Sequence, residues 1–364
     1  MMKYVFVNYN YSPNFTSPLA WFKRTEGYSG VLESLSKHHT VINIKQLNYT
    51  GNVIHNGVDN RFVDFGEGKT YFPFRIHRYV KNLHADVVFV HGLHNSLQII
   101  QLRLTLDKRT RIIVQHHAEK PFKGIKRIVQ KVADNCVDAY LFSSHALGAE
   151  WVKNGNVASG KKIHEVMEVS SLFYRDKNVS SKLNLTGDSV FLWVGRLNAN
   201  KDPLNVIKAF LKFAKSNPDA RLYMIYHTEE LIDEIKAILE IYADNCPVIL
   251  VGKVPHDDLL YWFNSARFFI SGSYYEGGGT ALCEAMSCGC VPIVTDIPAF
   301  RMITDNGDCG LLYEAGSEVA LLDALQQTTA MDRAAKQEKS LAYFKSNLSF
   351  DAIASRIHEV SLSL

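Results

Sequence analysis

The chain is 364 residues long with 47% hydrophobic and 21% charged residues, too long for one hydrophobic core and too apolar to be disordered, so two packed domains are expected. Lys and Arg number 40 against 37 Asp and Glu, a formal net charge of +3, which excludes a broad polyanion-binding surface and nucleic acid as a partner. Any anion must be held by a local site.

The opening MMKYVFVNYNYSP reads as a short strand running into a turn rich in Pro and Asn. No apolar run reaches the roughly 18 to 20 residues that span a bilayer. Six cysteines without a disulfide-framework spacing suit a reducing compartment. A cytoplasmic protein is expected. Short β-rich runs then alternate with longer amphipathic stretches, the pattern of parallel sheets flanked by helices. Strands are predicted at residues 4–8, 40–44, 86–91, 111–115 and 139–143, and again at 189–194, 221–226, 247–251, 267–271 and 290–295. Their unbroken apolar character fits strands covered on both faces.

After the fourth predicted strand, Lys123, Arg127 and Lys131 recur at i, i+4 and i+8, with Lys120 and Lys126 nearby. Two readings of this basic helix face stay open, a solvated surface or attraction to anionic lipid headgroups or a phosphorylated acceptor, the latter helped by Trp21-Phe22-Lys23-Arg24. A polar, turn-rich interval at 174–188 is taken as the linker. Residues 1–183 are therefore expected to form the first domain and 184–348 the second. A helix over 349–364 follows, with Ile353, Ile357 and Val360 at helical spacing. The fold class expected is α/β, two doubly wound Rossmann-like domains facing a central cleft, with ligands at the carboxyl ends of the strands.

The second half holds the densest chemistry. Gly195-Arg196 follows the strand at 189–194, and Lys201 stands just before a helix starting near Pro203. Two cations there can neutralise a diphosphate, although an ordinary basic surface loop has the same composition. In SGSYYEGGGTALCEAMSCGCVPIVTD, Gly277, Gly278 and Gly279 lead into a helix-favouring run. Glycines admit close backbone approach and a helix N-terminus offers N–H groups, a combination that cradles phosphate when it is more than a plain turn. Glu276 and Glu284 bracket that loop. Carboxylates repel phosphate, so sugar hydroxyls are their natural partners. Cys288-Gly289-Cys290 lacks the second thiolate pair of a zinc site, and the chain contains no Asp-x-Asp triplet, so no metal site is expected.

Arg196 with Lys201, and Glu276 with Glu284 in EGGGTALCEAMSCGCVP, resemble the signature of the retaining GT-B-fold "glycosyl transferases group 1" family, family 4 type, with its E-x7-E motif. The resemblance is specific over 189–313, including DNGDCGLLY, and looser before that. It implies that Gly195, Arg196 and Lys201 meet the donor diphosphate and that the amides of Gly278, Gly279, Thr280, Ala281 and Leu282 face phosphate. Glu284 would hold the ribose, Glu276 would lie beside the donor sugar, and Lys253 and Val254 would touch the base. It further implies that the last helix crosses back to the first domain. Relatives place a histidine at a first-domain strand end; here His116 and His117 compete, and strand alternation favours His117 at the exit. Gly27, His91 and His116 are assigned to the acceptor side, with structural histidines the plainer reading of His91 and His94. Two departures stand out: Gly278 replaces a frequent phenylalanine, and Tyr226-His227-Thr228 replaces a Gly-rich turn.

The implied function is retaining, metal-independent transfer of a hexose-type sugar from a UDP- or GDP-sugar, used as co-substrate with no cofactor. The acceptor would be a glycan, a lipid-linked molecule or a small molecule, in surface polysaccharide biosynthesis at the inner face of the plasma membrane. A nucleotide-sugar epimerase and a non-catalytic nucleotide-sugar-binding subunit are the alternatives.

Overall fold

The computed structural model describes residues 1–25, 29–66, 71–176, 178–179, 183 and 185–364. The chain divides into two compact units, Met1–Ser170 with Phe350–Leu364, and Ser171–Ser349.

Unit 1 is built on eight strands, β1 (Lys3–Ser12), β2 (Thr40–Leu47), β3 (Gly51–His55), β4 (Val58–Val63), β5 (Val87–His91), β6 (Arg111–Gln115), β7 (Ala139–Phe142) and β8 (Ile163–Glu165). Their order is β3-β4-β2-β1-β5-β6-β7-β8. Only the β3–β4 pairing is antiparallel among the described residues. It turns through Asn56 at φ 47° and Gly57 at φ 83°, the two positive φ values of a tight hairpin turn, which Asn and Gly tolerate best. The core strands are fully enclosed, as Tyr4, Val5, Val87, Val88, Ile112 and Ile113 show.

Unit 2 carries β9 (Ser189–Gly195), β10 (Ala220–Tyr226), β11 (Val248–Gly252), β12 (Phe268–Ser271), β13 (Val291–Thr295) and β14 (Leu311–Tyr313), all parallel, in the order β11-β10-β9-β12-β13-β14. Phe191 of β9 stacks on Phe268 of β12 with ring centroids 4.7 Å apart, and the buried face of the helix Pro203–Ser216 adds Phe210 and Phe213 to the same cluster. Burying rings of this size between the sheet and the helix is a large favourable contribution to the unit.

The boundary falls after Ser170, ahead of the expected 183/184, because the start of the polar interval is bonded into unit 2. Asn264 accepts from the Asp176 amide at 2.8 Å and donates to the Tyr174 carbonyl at 3.0 Å, while Arg175 donates to the Cys288 carbonyl at 3.1 Å. The last helix, Phe350–Leu362, belongs to unit 1, where it packs on the helix Gly30–Ser36 and the Tyr4 hydroxyl meets His358 Nδ1 at 2.9 Å. Among the described residues no helix is long and apolar enough to cross a membrane.

Candidate active site

In unit 2 the sheet order reverses between β9 and β12, because β9 connects outward to β10 on one side while β12 enters on the other. Loops leaving a parallel sheet at such a switch point diverge and open a crevice at the carboxyl edge. Both expected motifs leave the sheet there. Gly195 ends β9, Arg196 is exposed beyond it, and Leu197 is buried. A turn follows in which Asn198 Oδ1 accepts from the Lys201 amide at 3.2 Å. Pro203 then occupies the first turn of the next helix, where its missing N–H costs nothing.

On the other side, β12 runs into Ser273, which is fully buried. Thr295 donates to the Ser273 carbonyl at 2.6 Å, and the Asn200 side chain donates to the Tyr275 carbonyl at 3.0 Å. The first bond ties the loop after β12 to the end of β13, and the second ties it to the loop after β9. The Ser273 hydroxyl donates to Glu276 Oε1 at 2.6 Å, and Lys201 forms an ion pair with the same oxygen. The two motifs, 75 residues apart in sequence, thus meet at one carboxylate.

Gly279 caps the helix Thr280–Ser287 with φ 60°, and an added Cβ would lie 2.9 Å from Ile303 Cδ1. Left-handed backbone and this close approach both demand glycine. The first N–H groups of an α-helix have no intrahelical acceptor, so the amides of Thr280 and Ala281 add donors and partial positive charge to the loop of Gly278. Leu282 is buried and anchors the helix.

Glu284, on that helix, is only 5% exposed. Its Oε1 meets His256 Nε2 at 2.7 Å, and the His256 ring stacks on Phe173 at 5.1 Å. His256 was not among the sequence candidates. It stands just beyond Lys253, which is exposed, and Val254, which is half-buried, on the segment leaving β11. Cys288 and Cys290 are buried and point their thiols at carbonyls, Cys290 at that of Phe263 at 3.0 Å. Burial pushes both thiols up, Cys288 to about 12, so they stay protonated.

Unit 1 presents a different edge. The two histidines after β6 part company: His116 is 2% exposed, stacks on Phe142 at 4.6 Å and bonds the Glu119 carbonyl at 2.8 Å. It is therefore a structural residue rather than an acceptor-side one, and burial lowers its pKa. The His117 side chain is 67% exposed and pairs with Glu168. Its backbone amide donates to Glu119 Oε2 at 2.6 Å, and His94 meets Glu119 Oε1 at 2.9 Å. Burial raises the Glu119 carboxyl, but these donors outweigh it and hold it at about 2. His91 ends β5, where burial and the nearby charges of Lys45 and His117 depress it to about 3. Gly27 lies outside the described residues.

Residues 175–345 match the family described as Glycosyl transferases group 1. The chain is 30% identical over 158 residues to a GDP-mannose:cellobiosyl-diphosphopolyprenol alpha-mannosyltransferase of Xanthomonas campestris, covering 42% of this chain and 41% of that protein. A counterpart in Xanthomonas oryzae pv. oryzae is 29% identical over 143 residues, 39% of this chain and 37% of the relative. The chain thus matches about two fifths of the length of these relatives. Among solved structures, sucrose-phosphate synthase from Thermosynechococcus elongatus superposes with TM-score 0.70 at 17% identity, over 99% of this chain and 98% of that one. HepE of Anabaena, in complex with UDP and glucose, gives 0.69 at 15% identity over 100% of both chains. The fold is GT-B, two α/β units of Rossmann-like architecture.

Proposed function

We propose that this chain, with its glycosyl transferases group 1 region in unit 2, transfers a hexose-type sugar from a UDP- or GDP-sugar, with retention and without a metal, to a glycan or lipid-linked acceptor in surface polysaccharide synthesis. The observation that carries the reading is the meeting of Lys201 and Glu276 at the β9/β12 switch point, beside a glycine-capped helix N-terminus.

In this mechanism Arg196, Lys201 and the amides from Gly278 to Ala281 receive the donor diphosphate, while the Leu282 amide is spent on the Gly279 carbonyl at 2.9 Å. They stabilise the charge that grows on it as the bond to the anomeric carbon breaks, which is where preorganised donors lower a barrier most. Glu276 keeps its Ser273 bond and accepts from hydroxyls of the transferred sugar. Glu284, held by His256, accepts from the ribose diol. The acceptor oxygen bonds to the anomeric carbon on the face the diphosphate leaves, and its proton passes to a diphosphate oxygen. The products are the glycosylated acceptor and a nucleoside diphosphate. Unit 1 contributes acceptor-side residues, His117 first among them, and the protein works in the cytoplasm at the inner membrane face.

Relatives that act on GDP-mannose and diphosphopolyprenol-linked sugar, and one named for capsular polysaccharide biosynthesis, support this donor and acceptor class. The test is nucleoside diphosphate release from a panel of UDP- and GDP-sugars, with NMR of the new anomeric centre. Release from one donor, an unchanged anomeric configuration and full activity in chelator are expected. Inversion would overturn the retaining mechanism, and absence of binding to every donor would overturn the function.

A further inference from the structure

The helix Gly124–Asp134 is seated the wrong way round for a soluble protein. Its buried positions include the polar Gln130 and Asp134, while Ile125, Ile128 and Val132 are 80%, 64% and 50% exposed. The polar side is satisfied within the unit. Gln130 accepts from Ser96 at 2.7 Å and donates to the Tyr140 hydroxyl at 3.1 Å, and Asp134 accepts from the Ala158 amide at 3.0 Å and pairs with Lys162. The aliphatic side, at positions i, i+3 and i+7, is one continuous stripe turned to solvent. Surface helices normally bury such a stripe.

Lys123, Lys126, Arg127 and Lys131 surround it and are all exposed. Among the described residues none of the four has a carboxylate within ion-pair distance. An apolar stripe rimmed by unpaired cations complements one kind of surface best, an anionic bilayer, whose phosphates take the charges while its acyl boundary takes the aliphatic groups. A second copy of this face would set four cations against four.

We propose that the helix Gly124–Asp134 docks unit 1 on an anionic membrane surface, with Ile125, Ile128 and Val132 entering the acyl boundary and the cations lying among lipid phosphates. The docking gives a place on the chain to the membrane-face location proposed above, yet it needs no transfer chemistry. The segment that leaves β6 through His117 and Glu119 runs directly into this helix, so docking brings that edge of unit 1 close to the lipid surface.

The test is flotation of the full chain with vesicles of equal parts phosphatidylglycerol and phosphatidylcholine, against phosphatidylcholine alone. Binding only to the anionic vesicles, weakening with salt, is expected. Lys126→Glu, Arg127→Glu and Lys131→Glu should each lower partitioning by about fivefold or more, and Ile128→Asp by about tenfold. Thermal melts check that these surface variants stay folded, and titration with the donor found above should be unchanged in all of them. A wild-type chain that does not float, or an Ile128→Asp chain that floats as well as wild type, overturns the proposal. So does lipid-free self-association abolished by Ile128→Asp, which would assign the stripe to a second copy. Flotation without donor binding would leave the docking intact and sink the transferase reading instead.

Discussion

The carboxyl edges of the two sheets solve the same problem in opposite ways. In unit 2 the candidate site residues are fixed by partners on the segments that leave the sheet: Glu276 by Ser273 and Lys201, and Glu284 by His256, with both carboxylates largely withdrawn from solvent. In unit 1 the buried His116 and the partly buried Glu119 carry an exposed histidine, His117, on their surface. In the transfer proposed above, the unit 2 edge receives the same diphosphate every time and can be prebuilt, whereas the unit 1 edge meets the acceptor and needs reach and a firm base.

The largest effects should come from unit 2. Lys201→Ala or Glu276→Ala is expected to lower kcat by about a hundredfold or more, with the melting temperature little changed; near-normal turnover in either would erase the contrast. Glu284→Gln should raise the donor KM about tenfold while sparing kcat, since the ribose contact proposed for it would be made equally in ground and transition states. His256→Ala should follow in the same direction to a smaller degree, and steady-state kinetics with varied donor separates the two parameters.

A third way to sharpen the comparison is acid stability, which reads unit 1. The Glu119 carboxyl, ordinarily near 4.5, is held at about 2 in the folded chain. Its contribution is therefore fully present above about pH 4.5 and disappears as pH falls toward 2. Glu119→Gln should cost a few kcal/mol at neutral pH, with the difference from wild type shrinking steadily below pH 4.5 in urea titrations. A gap that does not change with pH would mean the carboxylate charge is not what holds the His94 and His117 segment. The smallest effect expected is at Gly279→Ala, about 1 to 2 kcal/mol from the positive φ and the Ile303 contact, together with weaker donor binding.

Every strand predicted from an unbroken apolar run is present, because burial on both faces writes itself into composition. The additional strands escaped for separate reasons. β8 and β14 span three residues each, too short for a pattern, and β3–β4 alternates polar residues at a sheet edge, although Asn56-Gly57 is a hairpin signal that could have revealed it. Polar composition suggests a linker at 174–188, while the compact units divide after Ser170 because Asn264 and Cys288 bind residues 174–176 from far along the chain.

By itself the sequence determined the two-unit α/β architecture and the residues around the glycine loop, because period, turn chemistry and motif spacing are local properties. Tertiary structure alone decided which partners those residues have. His256 reaches Glu284 across 28 positions and His117 reaches Glu168 across 51, separations at which pairing depends on how strands are ordered in the sheet. The opposite seating of the helix Gly124–Asp134 is of the same kind: the sequence shows an amphipathic helix, but only the packing of Gln130 and Asp134 reveals which side faces out.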